Sequence, residues 1–178
     1  QKKLEATPQY TALAAITEYL NNAQISQPVW LDSGALSISG EDLKDGEDYY
    51  YDVDARELVI TGTKPVTVAM AKDVKTSADT LRTKGEAQVT LVNVTIAAPE
   101  GKNALEADGG LELTLVGSNA LTAVDQAAIY GHEGVILSGT GSLTLQGGTE
   151  SNGIGTNRLT VTGGTVTVIG GNGAPGTK

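Results

Sequence analysis

The sequence predicts an all-β chain: a right-handed parallel β-helix, a solenoid of about five coils with three short strands per coil, behind an N-terminal capping α-helix. Three observations carry this prediction. An apolar-x-apolar pattern recurs with a period near 24 residues. Glycine shifts from 5 residues in positions 1–100 to 18 in positions 101–178. Of the seven aromatic residues only Tyr130 lies beyond residue 100, so the C-terminal half needs a core of stacked aliphatic side chains rather than of aromatic rings.

At the N-terminus, Thr7-Pro8 offers a cap with proline at the first helical position, and Tyr10, Leu13, Ala14, Thr17 and Leu20 follow at helical spacing, which predicts a helix over 8–22. Pro28 and the turn signal Trp30-Leu31-Asp32-Ser33-Gly34 end the helical pattern. Residues 1–28 are therefore read as a cap segment and 29–178 as the β-helix domain, incomplete at its C-terminal end. From residue 29 onward the period is two.

Five segments share an apolar-x-apolar-x pattern closed by glycine or asparagine: Leu58/Ile60/Gly62, Val89/Leu91/Asn93, Leu113/Leu115/Gly117, Val135/Leu137/Gly139 and Leu159/Val161/Gly163, at spacings of 31, 24, 22 and 24. A second column follows each: Val66/Val68, Val94/Ile96, Leu121/Ala123, Leu143/Leu145 and Val166/Val168. A third column, Leu81, Leu105, Ile129 and Ile154, precedes most of the first strands at spacings of 24, 24 and 25. Stacked coils place like residues over like at about 4.8 Å, so these columns become apolar ladders inside the solenoid. The Gly/Asn column falls where the chain turns between sheets and a positive φ is wanted. Thr67, Thr95, Thr122, Thr144 and Thr167 read as an outward face of the second strands. An antiparallel sandwich also has frequent turn signals, but it does not keep three columns in step.

Composition removes many functions. Lys plus Arg (12) against Asp plus Glu (21) gives a net charge of −9, so a phosphate-binding surface and a nucleic-acid partner are excluded. Cysteine is absent, which removes disulfides and thiolate chemistry, and His132 is the one histidine. No apolar window is long enough to span a bilayer as a helix. The carboxylates Glu106, Asp108, Glu112, Asp125, Glu133 and Glu150 are scattered, and Arg158 is the only cation between Lys102 and Lys178, which leaves a β-helix lyase without a base. Asp42, Asp45, Glu47, Asp48, Asp52 and Asp54 lack calcium-loop spacing and read as a solvated loop.

The segments Gly117-Ser118-Asn119-Ala120-Leu121, Gly139-Thr140-Gly141-Ser142-Leu143-Thr144-Leu145, Gly153-Ile154-Gly155 and Gly163-Gly164-Thr165-Val166-Thr167-Val168 resemble the repeats of a widespread class of bacterial surface proteins. The resemblance spans roughly 50–178. It implies a right-handed β-helix, secreted or anchored at the cell surface, with an adhesive or carbohydrate-binding role; it carries no catalytic residues.

The expected function is accordingly a non-enzymatic, extracellular adhesion module of a bacterial surface. The alternative is a carbohydrate-binding module that recognises polysaccharide, with a lyase-like enzyme or an ice-binding protein ranked behind. The expected partners are a host or environmental glycan or another surface protein, with no cofactor and no metal site. The candidate ligand-binding residues are Tyr49, Tyr50, Tyr51, Tyr130, His132 and Glu133, since an exposed tyrosine beside polar groups can stack on a sugar ring. At least one of the three adjacent tyrosines must face outward. No large apolar residue after Val168 except Ile169 can cover the last coil, so that end is expected either to self-associate or to continue into further coils.

Overall fold

The computed structural model describes residues 29–30 and 34–173, and the predicted helix over 8–22 lies outside them. Among the described residues there is no helix. The chain begins with three strands, β1 (Val29–Trp30), β2 (Leu36–Ser39) and β3 (Tyr49–Asp52). Five coils follow. The first holds β4 (Glu57–Ile60) and β5 (Val66–Met70), and the second β6 (Thr80–Thr83), β7 (Ala87–Val92) and β8 (Thr95–Ala97). The third holds β9 (Leu105–Ala107), β10 (Leu111–Val116) and β11 (Ser118–Thr122). The fourth holds β12 (Ile129–Gly131), β13 (Val135–Gly139) and β14 (Ser142–Gln146), and the fifth β15 (Ile154–Thr156), β16 (Leu159–Val161) and β17 (Thr165–Ile169).

The strands stack into three sheets. The first runs β1-β2-β5-β7-β10-β13-β16, the second β8-β11-β14-β17, and the third β3-β4-β6-β9-β12-β15. All pairings among strands β4 to β17 are parallel, as a β-solenoid requires and an antiparallel sandwich does not. The inward ladders Val89–Leu113–Leu137 and Leu81–Leu105–Ile129 are buried to within 1 % exposure, and each steps by 24 residues.

Four expectations need correction. In the first sheet Leu113 stacks on Leu137 rather than Val135 and Gly139 on Leu115 rather than Gly117, so the spacing of 22 put that coil two residues out of register, and in the second sheet Leu121 stacks on Ile96 and Leu145 rather than on Val94 and Leu143. Leu58 and Ile60 are buried, but in the third sheet, in register with Leu81 and Thr83; Val66 and Val68 occupy the first sheet, opposite Val89 and Leu91. The shared apolar-x-apolar-x-Gly motif misaligned this coil, and the outlying spacing of 31 was the sign of it, because the true steps 58→81 and 66→89 are 23. The threonines do not form one column either. Thr95 and Thr144 stand on either side of Ala120, Thr122 pairs with Ala97 and Gln146, and Thr67 belongs to the first sheet beside Thr90. Finally, residues 29–52 are not a parallel coil: β1 pairs β2, β2 pairs β5 and β3 pairs β4, all antiparallel.

These antiparallel strands blunt the solenoid's first edges, which would otherwise present unpaired backbone groups. They are fastened through Asp79, a carboxylate only 1 % exposed. It accepts the Ala35 N–H at 2.6 Å ahead of β2, and pairs at 2.8 Å with Arg56 from the β3–β4 turn. At the other end, Leu159 and Val161 lie in register with Val135 and Leu137, yet are 42 % and 50 % exposed because no described strand stacks above them.

Corners explain part of the glycine content. Asn93, Gly117 and Gly164 take positive φ of 52°, 68° and 78°, whereas Gly62 and Gly163 do not. A side chain at Gly117 would fall 2.1 Å from Asn93 Oδ1, the oxygen that accepts the Ser118 N–H across the corner. The buried Asn119 extends the same satisfaction inward: its Oδ1 accepts from Val94 N at 2.9 Å and its Nδ2 donates to the Val116 and Ser142 carbonyls.

Candidate functional site

In the third sheet the residues between the inward ones point outward, and the 24-residue step aligns them. One outward column runs Tyr50, Val59, Arg82, Glu106, Tyr130, Gly155 from strand to strand. Just past the ends of β6, β9 and β12 come Lys84, Asp108 and His132, and the backbone N–H groups of Asp108 and His132 donate to the Thr83 and Ala107 carbonyls of the preceding coil. The outer face thus gathers two cations, two carboxylates, an imidazole and a phenol within three coils.

Their contacts are specific. Arg82 Nη2 lies 2.8 Å from Asp108 Oδ1 and 3.4 Å from Glu106 Oε1, and Lys84 Nζ lies 3.6 Å from Asp108 Oδ2. His132 Nε2 lies 3.5 Å from the same Glu106 oxygen. Burial pushes the Asp108 carboxyl up, but the Arg82 hydrogen bond and the charges of Arg82 and Lys84 outweigh it and hold Asp108 below its ordinary pKa. The Asp108 hydrogen bond in turn holds the Arg82 guanidinium above its ordinary value, against the effect of burial. One donor atom from each of Glu106, Asp108 and His132 falls within a 4.8 Å circle.

Tyr130 sits beside this cluster. Its ring meets the His132 imidazole edge to face, at 4.8 Å between centroids and 88° between planes. On its other side it reaches over Gly155, where a Cβ would come within 3.1 Å of the ring. The ring therefore lies along the coil surface, and the residue stays 42 % exposed. Around it a shallow cavity of about 350 Å³ is lined by Asn103, Glu106, Gln126, His132, Ser151 and Asn152. Asn103 is held in place by donating to Glu106 Oε2 at 3.2 Å and accepting from Ala127 N at 3.1 Å.

The other candidates separate. Tyr49 is buried at 1 % exposure in the core, and burial together with the Asp45 charge pushes its phenol pKa up. Tyr51 is half-buried against the core, and burial, then Asp79, does the same to its phenol. Tyr50 is the outward member of the three, at 37 %. Glu133 is exposed but turns to a different cavity of about 300 Å³, which it shares with Glu86, Glu112 and Arg158 over Gly110 and Gly134. The acidic loop after β2 is tied up internally: Lys64 pairs with Asp48 at 2.9 Å and Lys44 with Glu47 at 3.0 Å.

Arg82, Lys84, Glu106 and Asp108 were not among the predicted site residues. The signal was present in the third column, since positions one and three after Leu81, Leu105 and Ile129 are Arg82/Lys84, Glu106/Asp108 and Tyr130/His132. Counting cations only beyond residue 100 hid it. Compared with protein-family models, curated proteins and solved structures, the chain matches none of them.

Proposed function

We propose that this chain is a non-enzymatic carbohydrate-binding module, with the solenoid as a stiff scaffold and the outer face of the third sheet as its binding surface. The observation that carries this reading is the joining of an exposed aromatic ring, Tyr130, to a groove of amides and a carboxylate, Asn103, Gln126, Asn152 and Glu106. An apolar ring face with fixed donors and acceptors at its rim is the chemistry that holds a sugar ring. Tyr50 is also exposed on this column, but Val59 beside it is only 2 % exposed, so the binding surface is centred on Tyr130. The net charge of −9 favours neutral or N-acetylated glycans over acidic ones.

The carboxylates here are neutralised by Arg82 and Lys84 in ion pairs, and Asp108 stays ionised at neutral pH, which supports a binding role over acid–base catalysis. The repeat resemblance supports an extracellular setting at a bacterial surface, where the same face serves adhesion. The general handedness of parallel crossovers supports a right-handed winding. Glycan-array binding tests the proposal: Tyr130→Ala, an exposed change that leaves the core ladders intact, is expected to abolish binding. Retention of full binding in that variant, or turnover of a polysaccharide by the native chain, overturns it.

A further inference from the structure

We propose that Glu106, Asp108 and His132 form a binding site for a divalent cation of the zinc class, in competition with the guanidinium of Arg82. Four observations support this. The three donors converge within 4.8 Å. Glu106 lies on β9, and Asp108 and His132 directly follow β9 and β12 with their backbone N–H groups bonded to the preceding coil, so the stacked coils set the spacing of the three backbones before any ion arrives. One donor is an imidazole, which separates this group from an ordinary solvated pair of carboxylates and favours zinc, cobalt or nickel over calcium or magnesium. The Tyr130 ring packs edge to face on that imidazole and restricts its rotation.

The groups facing the site decide how strongly it binds. Arg82 and Lys84 balance the two carboxylates, so a dication must displace at least one of them. Glu57, one coil away, also acts on the charge of Arg82, while its Oε1 accepts from the Thr80 hydroxyl at 3.2 Å. A dication that displaces Arg82 gains both carboxylates and the imidazole. Water completes the coordination, since Glu106 and Asp108 are half-buried and His132 is 48 % exposed on its side chain. Nothing in this argument depends on glycan binding, and its test is separate.

The test is isothermal titration of the intact chain with zinc chloride, with calcium chloride as competitor. The expected result is saturable one-to-one binding that is lost in His132→Ala and in Asp108→Asn, is tightened about tenfold in Arg82→Gln, and survives excess calcium. Unchanged circular dichroism establishes that each variant is folded, and His132→Ala, exposed and remote from the core, keeps the test valid if Asp108→Asn unfolds. No saturable binding at millimolar zinc overturns the proposal, as does binding that appears only in Arg82→Gln. Binding that persists in His132→Ala overturns it too, by moving the ion elsewhere, and equal competition by calcium overturns the assigned ion class.

Discussion

Leu113 and Leu159 both point inward from the first sheet, on adjacent ladders, but only the first is covered on both sides. Leu113 lies between Val89 and Leu137 with no exposed surface, whereas Leu159 rests on Val135 and is 42 % exposed. Leu113→Ala therefore leaves a closed void between two fixed rungs, which costs about 3 kcal/mol once transfer and cavity contributions are combined. At about 3 °C per kcal/mol for a chain of this size, the midpoint of thermal unfolding falls by roughly 9 °C. Leu159→Ala removes a side chain already part-hydrated, in a place where solvent fills the gap, and costs about 1 kcal/mol or roughly 3 °C. Thermal unfolding followed by far-ultraviolet circular dichroism measures both, with urea titration to verify that the m-value is unchanged. Equal losses for the two variants would refute the reasoning, and would mean that another chain or segment covers the last coil. A loss below about 1 kcal/mol at Leu113 would also refute it, because the ladder would then be loosely packed.

Three further outcomes can be measured in the same way. Gly139 has φ of 96°, and a Cβ there would stand 2.3 Å from the Leu115 carbonyl oxygen, so Gly139→Ala is expected to cost at least about 2 kcal/mol. Gly85 has open space around its Cβ position and no positive φ, and Gly85→Ala is expected to be neutral or stabilising by up to about 1 kcal/mol in the same melting assay. The Lys64 hydrogen bond, with the Lys44 backbone N–H, holds the Asp48 carboxyl below its ordinary value of 3.8. A depressed carboxylate contributes stability that is fully present above its unfolded value and is lost as pH falls through the folded one. Urea midpoints measured downward from pH 4 should thus fall less steeply in Asp48→Asn than in the native chain, and parallel curves would disprove the assignment.

The solenoid was legible because its determinants are local and repeated. Val89, Leu113 and Leu137 recur at equal steps, and a parallel stack converts that recurrence directly into contact. What the sequence obscured was phase rather than architecture. Leu58-x-Ile60-x-Gly62 has the motif of the first sheet and the position of the third, because inward apolar alternation is the same chemistry in any sheet. The antiparallel strands β2 and β3 carried no repeat, so period counting could not see them. In the site, Tyr130 and His132 were readable as an aromatic beside polar groups, the one tyrosine and the one histidine beyond residue 100. Their partners were not, since Arg82 and Lys84 are separated from them by 48 residues and become neighbours only through two coil steps. Tyr49 and Tyr50 differ in burial from 1 % to 37 % through strand phase alone.

The outward column from Tyr50 to Gly155 has a consequence for how such a chain can change over generations. A duplication or deletion of one whole repeat moves every later side chain by a single rung and leaves all the ladders intact, so new neighbours can be tried beside Arg82 or Tyr130 without disturbing the interior. An insertion of any other length must be absorbed as a bulge at a corner, or it throws the following rungs out of phase. Inheritable variation at this surface is thus quantised. Its alphabet is the pair of outward residues that each repeat contributes, and its text is read along the axis, across the coils, rather than along the chain.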